Sequence, residues 1–309
     1  MEHKIIIGYD GTENADDALA LGRALAQALG AKPLVATVQR VPPYLVREHE
    51  LREQAEADSE PLFAKARDVL SGLEVETITL FDESPGRALS GLIESEHPVS
   101  VVLGSAHRGS VGQVLLGSLG TTMLSGSECP IAIAPSGFAK QKEHMLSRIG
   151  VGVDGSPEST SALDAAAALA ARVHAGSLDA IAVAPPFSTD VVGAVLSMLS
   201  EEQLEGGRDE KLRTVLDEAA GAAPSGLEVS QNLRHGDPPA ELLAAADGLD
   251  LLVLGSRAYG PIRRTLLGSV SAEVMRSAPC PVLVLPRKAG EDPLGLAPAA
   301  EGGSAHSST

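Results

Sequence analysis

The sequence predicts an α/β fold of two tandem, doubly wound, Rossmann-like domains, each built on a five-stranded parallel sheet. Three observations predict it. The 309 residues exceed the usual length of one domain. The chain also repeats itself, and within each repeat short aliphatic runs alternate with longer amphipathic or charged segments.

The repeat is visible in two long blocks. KIIIGYDGT near the start returns as RIGVGVDGS, so Asp10 aligns with Asp154 at an offset of 154 − 10 = 144 residues. VVLGSAHRGSVGQVLLGS returns as LVLGSRAYGPIRRTLLGS, so Gly104 aligns with Gly255 at an offset of 255 − 104 = 151 residues. A constant offset within each block, with one slip between the blocks, indicates tandem duplication with a change in loop length.

The elements of the first repeat follow from its apolar runs. Nearly continuous aliphatic runs suit parallel strands covered on both faces. The predicted strands are 4–9, 34–38, 75–80, 99–103 and 131–134. A helix is predicted over 14–29, where Ala18, Leu21 and Leu25 share one side and Gly30 follows as the terminating residue. A charged segment, 46–70, precedes the third strand.

The second repeat carries the same signals. Ser156 before Pro157 predicts a helix start, and Gly176 is expected to end that helix. The segment 201–219 matches the charged segment of the first repeat. Asp237 before Pro238 predicts a further helix cap. The last strand of each repeat is short, apolar and flanked by prolines, which is typical of an edge strand.

Composition sets the domain limits. The polar, unpatterned stretch 136–147 is interpreted as a linker, which predicts domains over residues 1–140 and 146–288. Residues 289–309, rich in Ala, Gly, Pro and Ser, are predicted to form a disordered tail.

Charge and composition exclude several partners. With 24 Lys and Arg against 41 Asp and Glu, the net charge of −17 repels nucleic acid and anionic membrane surfaces. Aromatic residues, at 2%, are too few for base-stacking platforms. The sequence shows no signal peptide and no apolar run of membrane-spanning length, so we expect a soluble, cytoplasmic protein. Cys129 and Cys280 are interpreted as small buried residues.

A ligand site is expected where the strand order reverses, beyond the carboxyl ends of the strands. Asp10 or Asp154 follows the first strand of each repeat, and Gly104 or Gly255 ends the fourth. A glycine loop then leads to a Gly-Ser pair at a helix start, where free N–H groups favour an anion. Plain turns and N-caps would explain each motif by itself, but their coincidence in both repeats favours nucleotide binding.

With strand-Asp-Gly-Ser/Thr, a glycine loop ending in Gly-Ser, and a final Cys-Pro strand, the sequence resembles the universal stress protein family in its tandem form. In ATP-binding members that loop reads G-x2-G-x9-G-S/T. His107 and Ala258 occupy the middle position here, and a glycine follows two residues later in each repeat. The residues that the resemblance and the motifs nominate for nucleotide binding are Asp10, Gly104, Gly109, Gly117, Ser118, Asp154, Gly255, Gly260, Gly268 and Ser269.

The resemblance implies ATP, with or without magnesium, as the ligand, and places Asp10 and Asp154 at its adenosine end. Main-chain groups near Thr37 and Val38, or Ile181 and Ala182, would hold the base, and a role near the ribose is open for the segment at Asp237. The last strands would pair the two domains about a pseudo-twofold axis, and a homodimer of whole chains stays open. The function implied is stress signalling through nucleotide-dependent contacts with an unidentified protein partner; a slow ATP hydrolase and a nucleotide-free scaffold are the alternatives.

The two repeats differ in charge around the loop. Arg257, Arg263 and Arg264 surround the second loop, against His107 and Arg108 around the first. Guanidinium groups strengthen triphosphate binding, so we expect tighter ATP binding by the second repeat. The alternative is that these arginines coat an exposed loop.

Overall fold

The fold was analysed in a computed structural model, which describes residues 3–40, 49–105, 120, 123, 129–141, 144–186, 201–256, 269–287 and 292–296. The strands of the first half are β1 (Lys4–Gly8), β2 (Lys32–Gln39), β3 (Glu76–Phe81), β4 (Ser100–Gly104) and β5 (Ile131–Ala134). Those of the second half are β6 (Arg148–Val153), β7 (Ser177–Ala184), β8 (Val229–His235), β9 (Leu251–Gly255) and β10 (Val282–Leu285).

Helices alternate with these strands, as the sequence predicts. They are α1 (Glu13–Leu29), α2 (His49–Val69), α3 (Pro85–Glu96), α4 (Pro157–Arg172), α5 (Glu201–Gly221), α6 (Pro238–Ala245) and α7 (Ser269–Ser277). A short 3-10 helix spans Phe138–Lys140. Among the described helices, none combines the length and apolar character needed to cross a bilayer.

All ten strands form one sheet, in the order β3-β2-β1-β4-β5-β10-β9-β6-β7-β8. Pairing is parallel within each half, and β5 meets β10 antiparallel, with Ala132 opposite Leu283. The α/β fold of two doubly wound five-stranded domains related by a pseudo-twofold axis is therefore confirmed. Because the join is antiparallel, the strands of the two halves point in opposite directions. Their carboxyl ends therefore lie on opposite sides of the common sheet, above it in one half and below it in the other when the strands are viewed upright.

The apolar core has two layers, one on each face of the sheet, and each layer includes residues from both halves. Leu25 of α1 and Leu169 of α4 belong to one layer and are 1% and 0% exposed. Ile131 of β5 and Val282 of β10 belong to the other and are 1% and 0% exposed. The halves thus share their core across the β5–β10 join.

The helix ends confirm one glycine prediction and correct another. Gly30 follows α1 with φ 63°, in the left-handed region that glycine adopts without strain. The expectation that Gly176 ends the matching helix of the second half is wrong. That helix ends at Arg172, and the left-handed residue beyond it is His174, with φ 52°. Gly176 instead donates its N–H to the carbonyl of Ser147, at 3.0 Å.

The segment between the halves, interpreted from the sequence as a linker, is packed against α1. Phe138 is 4% exposed, and its ring lies 4.7 Å from that of His144. The carboxylate of Asp17 in α1 accepts the N–H groups of Gly137 and Ala139, at 2.8 and 2.7 Å. Apolar burial and these hydrogen bonds hold the segment against α1.

Part of the segment predicted to be a disordered tail is described. Residues 292–296 form a turn in which Leu294 is 1% exposed and packs into the core. The N–H of Leu296 donates to the Asp292 carboxylate, at 2.8 Å. The remainder of 289–309 lies outside the described residues.

Candidate functional site

The aspartate after the first strand of each half closes a tight turn. Asp154 Oδ1 accepts the N–H of Ser156 at 2.9 Å, and Asp10 Oδ1 accepts the N–H of Thr12 at 3.1 Å. The glycine between has φ 81° in the first half and 77° in the second, which explains its presence there. Both carboxylates lie at the protein surface, at the carboxyl edge of their strands.

The hydroxyl that follows each turn caps a helix. Thr12 Oγ accepts the N–H of Ala15 at 3.3 Å, and Ser156 Oγ accepts the N–H of Ser159 at 3.2 Å. Each satisfies a backbone donor that the first helical turn leaves unpaired. The Asp-Gly-Ser/Thr motif thus has a local structural function in both halves.

The glycine that ends the fourth strand of each half is required by helix packing. A Cβ on Gly104 would lie 1.8 Å from the carbonyl oxygen of Asn14, and one on Gly255 would lie 2.3 Å from that of Glu158. Both obstacles are backbone atoms in the first turn of a helix. The missing side chain therefore makes room for a helix, and only the main chain of these glycines can face a ligand.

A cavity of about 410 Å³ opens at the carboxyl ends of the strands in the second half. Three of the nominated residues line it together: Asp154, Gly255 and Ser269. It lies where β6 has β7 on one side and β9 on the other, which is the point of strand-order reversal. Its volume falls in the range typical of small-molecule sites.

The cavity combines apolar walls with a few polar groups. Aliphatic side chains from the strands and from α5 and α6 form the walls: Val153, Ile181, Val183, Leu212, Leu242 and Leu254. Ile181 faces this side of the sheet, whereas the side chain of its neighbour Ala182 packs in the opposite layer. Apolar walls of this kind suit the flat faces of a base.

Helix α7 begins at the cavity. Ser269 is its first residue and is exposed there, so the N–H groups of the first turn and the positive end of the helix dipole adjoin the cavity. Ser271 Oγ donates to the carbonyl of Gly255 at 3.0 Å, which ties the start of α7 to the end of β9. At the offset of 151 residues, Gly120 stands in the first half where Ser271 stands here, so the equivalent position has no hydroxyl for this bond.

Two cations of α5 also line the cavity, and no motif in the sequence points to them. They are Arg208, which is half-buried, and Lys211, which is exposed. Arg208 donates from its guanidinium to the carbonyl of Pro185, just beyond β7. Their spacing of three residues places them on one helix face, but only the tertiary structure shows that this face meets the site.

The other residues singled out have structural partners. Asp237 caps α6 by accepting the N–H of Ala240 at 3.4 Å, and Pro238 lines the cavity. Burial raises the pKa of the Cys129 and Cys280 thiols to about 12, so both stay protonated and unreactive near neutral pH.

Several nominated residues lie outside the described residues, so their positions relative to the cavity stay predictions. From the glycine loops these are Gly109, Gly117, Ser118, Gly260 and Gly268. Six further loop residues also lie outside the described residues: His107, Arg108, Arg257, Ala258, Arg263 and Arg264.

Comparison with known proteins assigns both halves of the chain to one family. The sequence model of the Universal stress protein family matches residues 1–135 and again 145–286. A universal stress protein of Mycobacterium tuberculosis is 27% identical over 302 residues, covering 92% of this chain and 97% of that protein.

Solved structures share the fold. A universal stress protein from Archaeoglobus fulgidus aligns with a TM-score of 0.63 at 21% identity, covering 91% of this chain and 97% of that one. A universal stress protein solved in complex with cAMP is 29% identical, covers 45% of this chain and 95% of its own, and has a TM-score of 0.34.

Proposed function

The chain belongs to the universal stress protein family in its tandem form, and from that premise we propose that its second half binds ATP. The observation that carries the proposal is the cavity, where Asp154, the end of β9 at Gly255 and the start of α7 at Ser269 meet. One ligand can therefore contact all three at once.

The parts of the cavity match the parts of a nucleotide. The aliphatic walls suit a base, and the Asp154 carboxylate can accept hydrogen bonds from ribose hydroxyls. The N-terminal turn of α7 favours phosphate through its N–H groups and its dipole. These features lie within one volume of about 410 Å³, which supports a single nucleotide site in this half.

Binding would also give the protein a means of signalling. A ligand that contacts β9, α5 and α7 together favours the arrangement of these elements to which it binds best. We propose that this stabilised arrangement alters contacts with a partner protein during stress, and that the protein acts in the cytoplasm, where ATP is available.

Calorimetric titration of the whole chain with ATP and Mg²⁺ tests the proposal. We expect binding, and we expect Asp154→Ala to weaken it by about tenfold, because a charged hydrogen-bond acceptor is lost. Asp10→Ala is the matched control in the first half and should leave the affinity of the second-half site unchanged.

Other outcomes would identify the alternatives. Absence of nucleotide binding would reject the proposal in favour of a nucleotide-free scaffold. Steady phosphate release in the same samples would instead favour a slow hydrolase. Mass spectrometry of small molecules that co-purify with the chain would identify the bound nucleotide directly.

A further inference from the structure

We infer that Arg208 and Lys211 make the second-half cavity selective for nucleotides that carry several phosphate charges. The inference rests on the proposed function and goes beyond it by naming the side chains that select nucleotides by their phosphate charge. Its basis is the position of two α5 cations in the same cavity as the start of α7.

The charges that line the cavity favour an anion despite the acidity of the whole chain. Among the described residues, its charged lining consists of two cations, Arg208 and Lys211, and one carboxylate, Asp154. The start of α7 adds the partial positive charge of a helix N-terminus. A chain of net charge −17 thus presents a locally cationic surface, and the attraction grows with the charge of the ligand.

Nearby acidic groups are engaged elsewhere. Asp209, next to Arg208, bonds to the ring of His235 at 2.8 Å. Glu158 forms an ion pair with Arg287 at 3.2 Å. These contacts engage one oxygen of each carboxylate, Oδ2 of Asp209 and Oε1 of Glu158.

Arg208 is held at the rim by its bond to the Pro185 carbonyl. A guanidinium carries five N–H donors in a planar fork and a fixed positive charge, which suits it to bind phosphate. Lys211, one helical turn further along, supplies a second charge from the same face. Together they can contact two phosphate groups.

The first half lacks both cations. A Cβ on Gly11 would meet Leu62 and one on Gly155 would meet Val215, so α2 and α5 align at an offset of 215 − 62 = 153 residues. Buried pairs at this offset, such as Ala66 and Ala219, support the alignment.

At this offset Ala55 takes the place of Arg208, and Asp58 takes the place of Lys211. Asp58 is exposed and accepts a hydrogen bond from Gln54 at 2.8 Å. A carboxylate at the position of a cation repels phosphate. The loop arginines predict tighter ATP binding by the second half than by the first. The difference between α2 and α5 supports the same prediction independently.

The inner wall differs as well. At the offset of 144 residues, Tyr9 stands where Val153 lines the cavity of the second half. Tyr9 is 2% exposed, and its hydroxyl donates to Asp16, which also pairs with Lys65. Burial raises the pKa of Tyr9 to about 12, so the phenol stays neutral and fixed in this cluster. The first half is therefore built with a different wall from the second.

Titration of the whole chain with ATP, ADP, AMP and adenosine tests the inference. We expect affinity to rise with phosphate charge, with ATP at least about tenfold tighter than AMP. Arg208→Ala and Lys211→Ala should each weaken ATP binding by about tenfold, while adenosine affinity changes by less than about twofold. Arg213→Ala, an exposed position of α5 that does not line the cavity, is the matched control and should bind all ligands as the original chain does.

Each result decides the inference. If ATP and adenosine bind equally, or if both variants bind ATP as tightly as the original chain, the inference is rejected and nucleotide binding stands. If no nucleotide binds, both proposals fail. Far-UV circular dichroism and thermal unfolding establish that the variants fold, and binding in rising salt adds a second readout, because charge recognition weakens with ionic strength.

Discussion

Asp17 is 2% exposed, and both of its carboxylate oxygens accept backbone N–H groups from the segment that joins the two halves. Ser161 occupies the equivalent position in the second half, at the offset of 144 residues, so the repeat does not predict this contact. One buried side chain on α1 thus orders a segment whose own sequence is polar and without pattern.

Asp17→Ala should destabilise the protein by about 2–4 kcal/mol, because two backbone donors in a partly buried turn lose their acceptor. Chemical denaturation followed by circular dichroism measures the change. Asp164→Ala, at an exposed position of α4, is the control and should change stability by less than about 0.5 kcal/mol. Equal effects of the two substitutions would contradict this function of Asp17.

At the scale of elements, a helix approaches the sheet closely at the carboxyl end of the fourth strand in each half. Gly104 and Gly255 allow α1 and α4 to start directly against the ends of β4 and β9. This approach also brings Asp154, just before α4, beside the end of β9 in the cavity. The glycine pattern therefore reflects packing first, and the proposed ligand site of the second half is formed by the elements that this packing brings together.

Gly255→Ala should destabilise the protein by at least about 2 kcal/mol, because the new methyl group meets backbone that cannot rotate away. Gly91→Ala is the matched control. A Cβ there meets nothing within 4 Å in α3, so this change should be neutral or stabilising by up to about 1 kcal/mol. Denaturant unfolding compares the two, and a tolerated Gly255→Ala would show that α4 can move away from the sheet.

At the scale of the molecule, the antiparallel β5–β10 join turns two domains into one sheet with a shared core. The outer edges of that sheet are β3 and β8, one from each half. The last strand of each half is thus paired with that of the other half inside one chain. A second chain would have to bind at another surface.

The shared core predicts that both halves unfold in one transition, because neither can separate without exposing apolar surface of the other. The two buried thiols report on the halves individually: Cys129 on the first and Cys280 on the second. Thiol labelling across a denaturant series measures this. The Cys280→Ser variant follows Cys129, and the Cys129→Ser variant follows Cys280. The two labelling curves should coincide once each is corrected for the stability of its variant. Two separated midpoints would indicate independent domains.

Local sequence was enough to determine the elements and the fold class. Strand hydrophobicity is a property of a few neighbouring residues, so the strands of the first half were predicted within two residues of their ends, and 131–134 matches β5. The internal repeat extended this to the second half. The end of α4 was missed because His174 adopts the left-handed conformation that Gly30 provides in α1.

Tertiary structure alone decided which side chains meet. Arg208 and Lys211 lie in a strongly charged helix, where no local signal distinguishes a cation that faces a cavity from one that faces solvent. The packed linker likewise depends on Asp17, about 120 residues earlier in the chain. Contacts between residues so far apart depend on how helices pack on the sheet, and this packing is a property of the whole core rather than of any one segment.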